Sequence, residues 1–319
     1  MKRRLFLCFL TILFCVGSVG AQGLIKWVDF DVGCGAMERA LRLELASREE
    51  DQPVNWIDIL ALAATRTGSG KFSIAAVDKA ARDLRGDKSV QELLKDQYKY
   101  YQYYHEAYHA VLDGLVGTYA IEKTDENGQK SWQSYYGVKA FSPIAAGYWY
   151  SHYDDFGNGR NYGFARKHLG NDLMGSYGTP IVAVESGRVE ALGWNQYGGW
   201  RIGIRSEDNK RYYYYAHLRT DNPYAPGLQE GDHVTAGDVI GFMGRSGYSV
   251  KENVNNIKTV HLHFGIQLVF DETQKECNSE IWIDAYEIVR LLDSHRSSVS
   301  RIDDGTWERV YPYKDLDNS

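Results

Sequence analysis

The chain changes texture once, near Gly117, and that change constrains its fold more than any single residue does. From Cys34 to Gly114, apolar residues recur every three or four positions. Beyond Gly117, glycine becomes frequent and the apolar residues fall into short runs punctuated by turn residues. The first period belongs to helices and the second to strands, whose side chains alternate between two faces. The expected fold is α+β: a small N-terminal helical region followed by an antiparallel all-β domain.

The helical half carries local start and stop signals. Met37, Leu41, Leu43 and Leu45 fall in a first helix. Asn55 is a natural cap for a second, beginning Trp56-Ile57-Asp58 and stopping near Gly68-Ser69-Gly70. A third runs from about Ser73 to Leu84. Ser89-Val90-Gln91-Glu92 reads as a capping box opening a fourth. That helix is expected to continue through Leu94, Tyr98, Tyr101, Tyr104, Tyr108, Val111 and Leu115. The strand candidates are 180–184, 187–192, 200–204, 211–218, 238–242 and 261–270. After Asp271 one further helix is expected, from Trp282 to Leu292.

The N-terminus reads as a processing segment. Lys2-Arg3-Arg4 precedes an apolar run from Leu5 to Val16, and Val19-Gly20-Ala21 ends in small residues suited to cleavage. The run is short for a membrane span. The organisation expected is therefore a signal peptide over 1–21, a helical region over 22–116, a β domain over 117–272 and an extension over 273–319. A membrane is a partner only if the first segment stays uncleaved. Otherwise the chain is secreted to an extracytoplasmic compartment, the cell envelope. Cleavage removes three positive charges and takes the net charge from −6 to −9. No basic face or nucleic-acid module appears, which excludes nucleic acid as a partner. Cys8 and Cys15 leave with the signal. Cys34 and Cys277 remain, as one disulfide or as two thiols.

One constellation carries chemistry. His168-x-x-x-Asp172 is followed some ninety residues later by His261-Leu262-His263, with His217 between them in Tyr215-Ala216-His217-Leu218. On a strand, residues two apart share a face, so His261 and His263 point one way and Leu262 and Phe264 the other. Two imidazoles on one face are costly in a dry core unless something binds them. Three of these side chains can hold one metal ion and leave another imidazole beside it, the asymmetry a catalytic zinc needs. By the same alternation Tyr213 and Tyr215 share the face of His217, so either is a candidate for lining a substrate groove.

These boxes resemble those of the lysostaphin/LytM-type zinc endopeptidases. Arg166-Lys167-His168-Leu169-Gly170-Asn171-Asp172 looks like their H-x-G-x-D box. Gly178-Thr179-Pro180-Ile181-Val182-Ala183-Val184, Gly187-Arg188-Val189, Tyr215-Ala216-His217-Leu218, the stretch from Gly231 to Gly241 and His261-Leu262-His263-Phe264 follow in the family's order. The likeness covers residues 155–270. It implies a two-sheet antiparallel fold of the duplicated-hybrid-motif type. It implies one zinc ion per chain, held by His168, Asp172 and His263, with water in the fourth position. It leaves His261 and His217 as catalytic groups. His261 is placed as general base and His217 as hydrogen-bond partner of the water or the developing oxyanion, roles the two can exchange. The implied activity is hydrolysis of peptide bonds in peptidoglycan, whose peptides are then the partner. A competing expectation is a catalytically inactive scaffold or activator of other cell-wall enzymes, built on the same fold. The intact set of five residues favours the enzyme.

A second metal motif competes. His105-Glu106-Ala107-Tyr108-His109 matches H-E-x-x-H on an expected helix. Its extension fails: Leu112 stands where a glycine and Leu115 where a third histidine would be required. The crowding of Tyr101, Tyr104 and Tyr108 reads as packing. His152 and His233 are expected in loops, in contact with water. His295 is expected beside a helix C-terminus. The helical region remains open as an inhibitory, targeting or protein-partner module.

Overall fold

The computed structural model describes residues 28, 30–161, 165–275, 279–302 and 306–317. The expected signal segment and Cys277 lie outside them, and Cys34 is buried with no disulfide partner among them. No helix of the described residues is long and apolar enough to cross a membrane.

The helical region opens with α1 (Cys34–Ser47), α2 (Trp56–Thr67) and α3 (Ile74–Leu84). Asn55 caps α2 by accepting from the Ile57 and Asp58 amides, and Gly68 closes it in the left-handed region at φ 75°. The capping box at Ser89 and Glu92 forms as expected, but the helix it starts is short. α4 covers only Val90–Leu94, because Lys95 takes φ 49°, and α5 (Tyr98–Leu112) restarts after it. The apolar period continues across the break, which is why the sequence reads as one helix.

The β domain follows. Its strands are β1 (Val116–Thr124), β2 (Lys130–Val138), β3 (Tyr150–His152), β4 (Gly159–Asn161), β5 (Ala165–Lys167), β6 (Asn171–Gly175), β7 (Pro180–Val182), β8 (Gly187–Asn195), β9 (Gly199–Ser206), β10 (Arg211–Ala216), β11 (His233–Val234), β12 (Val239–Phe242) and β13 (His261–Leu268). The C-terminal segment adds β14 (Ile281–Ile283), helix α6 (Tyr286–Leu292), β15 (Val299–Arg301), β16 (Trp307–Arg309) and β17 (Tyr313–Asp315). The main sheet runs β11-β8-β9-β10-β13-β6-β3, with β14 added beside β13. A β7–β12 ladder, the sheet β17-β1-β2 and two further two-stranded ladders complete the described architecture. Trp282, expected in a helix, lies in β14; the helix begins only at Tyr286.

One face of the main sheet is dry. Leu173, Ile202, Ile204, Tyr213, Tyr215, Leu262, Phe264 and Ile266 are buried in a core that also takes in apolar residues of α1, α2, α5 and α6. The seam between helices and sheet contains one buried ionic knot. Arg211 pairs with Glu185 at 2.8 Å and donates to the Ala110 carbonyl of α5 at 2.8 Å, while the Tyr213 hydroxyl donates to Glu185 at 2.7 Å. Gly114 passes so close that a Cβ would fall 1.7 Å from a Glu185 oxygen. The opposite face of the sheet floors a cleft.

Candidate metal centre

The cleft measures about 1310 Å³, and no described residue before Tyr153 lines it. The described residues of the helical region therefore add nothing to the cleft wall.

Strand pairing sets the candidate ligands. Asp172 on β6 and His263 on β13 are direct cross-strand partners on the cleft face, which brings their Cβ atoms within about 5.5 Å of one another. His168 reaches the same point from the turn before β6. Gly170 makes that turn possible: a Cβ there would sit 2.7 Å from the His263 ring and from the Phe264 carbonyl oxygen. The result is a tight triangle. His168 Nε2 lies 2.8 Å from His263 Nδ1 and 3.1 Å from Asp172 Oδ1, and His263 Nδ1 lies 3.3 Å from Asp172 Oδ1. Among the described residues this is the one group of three or more candidate ligands able to hold a metal ion. Ligands about 2.0–2.1 Å from a tetrahedral zinc stand roughly 3.3 Å apart, so two imidazoles and a carboxylate at these separations fit that ion.

Two residues that no motif marks hold the triangle. The Asp155 carbonyl and carboxylate lie 3.1 and 3.2 Å from His168 Nδ1. With two acceptors there, Nδ1 carries the proton and Nε2 is left for a metal. Asp155 Oδ1 also accepts from the Asp172 amide at 3.2 Å. Arg160 Nη2 bridges Asp155 Oδ2 at 2.6 Å and Asp172 Oδ2 at 3.0 Å, so Asp172 turns only Oδ1 toward the histidines. Two opposite charges upstream of the first box were the available signal, but nothing in their spacing says that they close on it.

The remaining histidines flank the triangle. His261 Nε2 stands 3.7 Å from Asp172 Oδ1, and the His217 ring centre lies 4.8 Å from that of His261 and 5.8 Å from that of His263. His217 Nδ1 faces the Ser246 carbonyl at 3.0 Å, and His261 Nδ1 faces the Thr259 carbonyl at 2.9 Å. A carbonyl only accepts, so both Nδ1 atoms are donors and each neutral ring keeps its lone pair on Nε2. Electrostatics separates the groups. Burial works against a charge on His168, yet hydrogen bonds and charge from Asp155 and Asp172 push it up to about 9. Asp172 is held well below the usual carboxylate range, its burial outweighed by His168, His263 and His261. Burial drives His217 far down, reinforced by His261 and His263. His263 is also lowered, by burial that its bond to Asp172 only partly offsets.

Several expectations need correction. Tyr213 and Tyr215 do not line the groove; both are fully buried in the core, and Tyr212 and Tyr214 line the cleft instead. Alternation failed because His217 leaves the strand with φ +63°, which swings it to the face opposite Tyr215. His152 is not a solvated loop residue. It ends β3, packs against Tyr286 at 4.5 Å between ring centres, and burial lowers it to about 4. His233 is exposed as expected, though on β11 and beside Glu207 at 2.8 Å. His295 follows α6 but stacks on Phe141, with Nδ1 donating to the Ala140 carbonyl.

The H-E-x-x-H histidines do lie on a helix, α5. His105 Nε2 faces Asp58 and His109 Nε2 faces Asp113, each at 3.2 Å. They turn to separate carboxylates and gather no third ligand among the described residues.

A β cleft presenting His, Asp and His around one point, with two more imidazoles beside it, defines a metallohydrolase-type site. Comparison with known proteins places it more narrowly. Residues 166–277 match the model of peptidase family M23, and over this part the chain is similar to the lysostaphin/LytM-like metalloendopeptidases. Over 117 residues the chain is 42% identical to the L-Ala–D-Glu endopeptidase of Bacillus subtilis (strain 168), covering 37% of this chain and 34% of that protein. It is 32% identical over 148 residues to the glycyl-glycine endopeptidase ALE-1 of Staphylococcus capitis, covering 46% and 33%. The solved catalytic domain of lysostaphin from Staphylococcus simulans is 27% identical, with a TM-score of 0.35, over 44% of this chain and 92% of that one. The chain thus spans about a third of the length of the two curated relatives.

Proposed function

We propose that the protein is a secreted zinc endopeptidase that hydrolyses peptide bonds in bacterial peptidoglycan. The observation that carries this reading is the convergence of His168 Nε2, Asp172 Oδ1 and His263 Nδ1 within 3.3 Å of one another, with His261 and His217 alongside. The substrate class rests on the relatives, and secretion rests on the N-terminal segment over 1–21.

In this reading His168, Asp172 and His263 hold zinc. A zinc ion held there would supply Lewis-acid chemistry, favouring deprotonation of water near neutral pH. His261 takes the proton of the attacking water at Nε2, its Nδ1 being anchored on Thr259, and delivers it to the departing amine. His217, anchored on Ser246, steadies the water or the oxyanion through its own Nε2. Asp155 and Arg160 act through the ligands as positioning residues.

The test is incubation of the mature protein with purified peptidoglycan, with and without a chelator, scoring new free amines. Chelator-sensitive release is expected. His261→Ala should cut it at least about a hundredfold while keeping the zinc, since general acid–base catalysis contributes roughly 10²–10⁴. Stoichiometric zinc with no release from any wall chemistry would favour the scaffold reading and sink this one.

A further inference from the structure

The cleft floor beyond the triangle carries an aromatic platform that the triangle does not require. Tyr214 on β10 pairs with Gly203 of β9 on one side and with Gly265 of β13 on the other. With glycine at both neighbours, that row of the floor has no side chain beside Tyr214. Two rings from the next row fill the gaps. In that row Tyr212 is the cross-strand partner of Gln267, and Gln267 is the partner of Trp282 on β14. A Cβ on Gly203 would strike Tyr212, at 1.8 Å from its hydroxyl and 2.4 Å from Cζ, and one on Gly265 would strike Cζ3 of Trp282 at 2.8 Å. Both rings therefore rest low on bare backbone, and both line the cleft.

Tyr214 joins this platform to the proposed metal site. Its ring centre lies 6.1 Å from that of Trp282 and 5.9 Å from that of His263, nearly perpendicular to each. Polar groups stand at the edges of the rings. The Tyr214 hydroxyl accepts from Asn195 at 3.1 Å, which leaves its O–H to donate. The Tyr212 hydroxyl bonds to none of the described residues. Glu280 accepts from the Trp282 indole at 3.1 Å, which fixes that ring and leaves the carboxylate further lone pairs. Glu190, which also lines the floor, is taken by Arg205 at 2.8 Å and Lys275 at 2.5 Å, so it brings no unpaired charge to the platform.

We propose that Tyr212, Tyr214 and Trp282 form a saccharide subsite, which binds a sugar ring of the glycan strand while the attached peptide reaches the triangle. Its part in hydrolysis rests on the endopeptidase reading above. Aromatic rings laid on bare backbone reward a ligand with an apolar ring face of its own. Two phenolic donors and a carboxylate acceptor reward hydroxyl and acetamido groups on the rim of that ring. An N-acetylated amino sugar has both, whereas an oligoglycine bridge has no ring to lay on the platform. The reach fits as well. The two steps from His263 through Tyr214 to Trp282, 5.9 and 6.1 Å, are covered by about four residues of extended peptide at about 3.3 Å each. One molecule can therefore place a sugar on the platform and a peptide bond at the triangle.

The experiment has a binding arm and a kinetic arm. In the first, the zinc-loaded protein is titrated by calorimetry with a β-1,4-linked tetramer of N-acetylglucosamine, which carries no peptide. The wild type should bind it, and binding should weaken roughly tenfold in Trp282→Ala and in Tyr212→Ala, which lie on separate strands. Trp282→Phe keeps a ring over Gly265 and should retain most of the affinity. In the second arm, wall muropeptides are compared with the same peptides stripped of their sugars. The sugar-linked form should be cleaved about tenfold better by kcat/KM, the gain lying in KM, and the ratio should collapse toward one in both alanine variants. No binding of the tetramer by the wild type, or a wild-type ratio of one, overturns the subsite even where a variant fails to fold; so does tetramer affinity unmoved in both alanine variants. Cleavage of the stripped peptides would then leave the endopeptidase reading standing. Cleavage of neither substrate overturns that reading, and the tetramer titration still decides the subsite.

Discussion

Two pairs of histidines among the described residues have metal-binding spacing, and only one of them adjoins a candidate metal site. His105 and His109 stand four apart on α5, one turn above the other. His261 and His263 stand two apart on β13, on one face of the pleat. Each pair has carboxylates within reach. On the helix the carboxylates pull the rings apart, because Asp58 and Asp113 take one each. On the sheet a single carboxylate, Asp172, lies near His168, His261 and His263 together. Spacing within one element puts two imidazoles on one face; a site needs side chains from other segments aimed at the same point. Here β6 and the turn before it supply them, and Gly170 lets them close.

The largest effect that would break this comparison is exchange of function between the two pairs. Asp172→Ala should lower bound zinc from one per chain to none and wall hydrolysis by at least about a thousandfold, as loss of a metal site does. His109→Ala should leave zinc content and rate within about twofold, since the half-buried His109 contacts Asp113 and no cleft residue. Metal analysis by mass spectrometry beside the amine-release assay checks both. Zinc retained in the first variant and lost in the second would reverse the assignment.

A smaller effect isolates what holds the sheet site together. Arg160→Met leaves every proposed ligand in place but frees Asp172 Oδ2 and Asp155 Oδ2 from their shared cation. Loss of such a supporting partner typically costs about 10–100-fold in metal affinity. Competition with a fluorescent chelator should show that loss, and a wild-type affinity in the variant would reduce Arg160 to a surface charge.

The same contrast explains what could be read in advance. The triangle was legible because its candidate ligands are box residues and because alternation alone joins His261 to His263. The two faces of β13 were legible for the same reason. Alternation misled at Tyr213 and Tyr215, since one residue at φ +63°, His217, cancels the inference across it. The break at Lys95 was invisible because the apolar period of α4 resumes in α5. Asp155 and Arg160 were missed because their role lies in tertiary contact with residues a dozen or more positions away. The tail shows the general case: β14 completes the main sheet and β17 pairs with β1 at Tyr119, Ala120 and Ile121, pairings that no local pattern near residues 281 or 313 specifies.

The smallest expected effect concerns protons, and it also separates the two pairs. Without metal, Asp155 and Asp172 outweigh burial and push His168 up to about 9. A raised histidine contributes stability that is fully present below its unfolded value, about 6.5, and that is lost as pH rises through about 9. Zinc runs the opposite way, because binding at Nε2 expels that proton. Affinity should therefore fall about tenfold for each unit of pH below about 9, one proton being displaced per ion. His263 is lowered by burial, so it adds to the slope only below its unperturbed range. On the helix, burial lowers His109 while Asp58 raises His105, and neither faces the triangle. Chelator competition at pH 6, 7 and 8 should give a slope near one, unchanged in His105→Gln; a flat profile would mean that His168 carries no proton to displace.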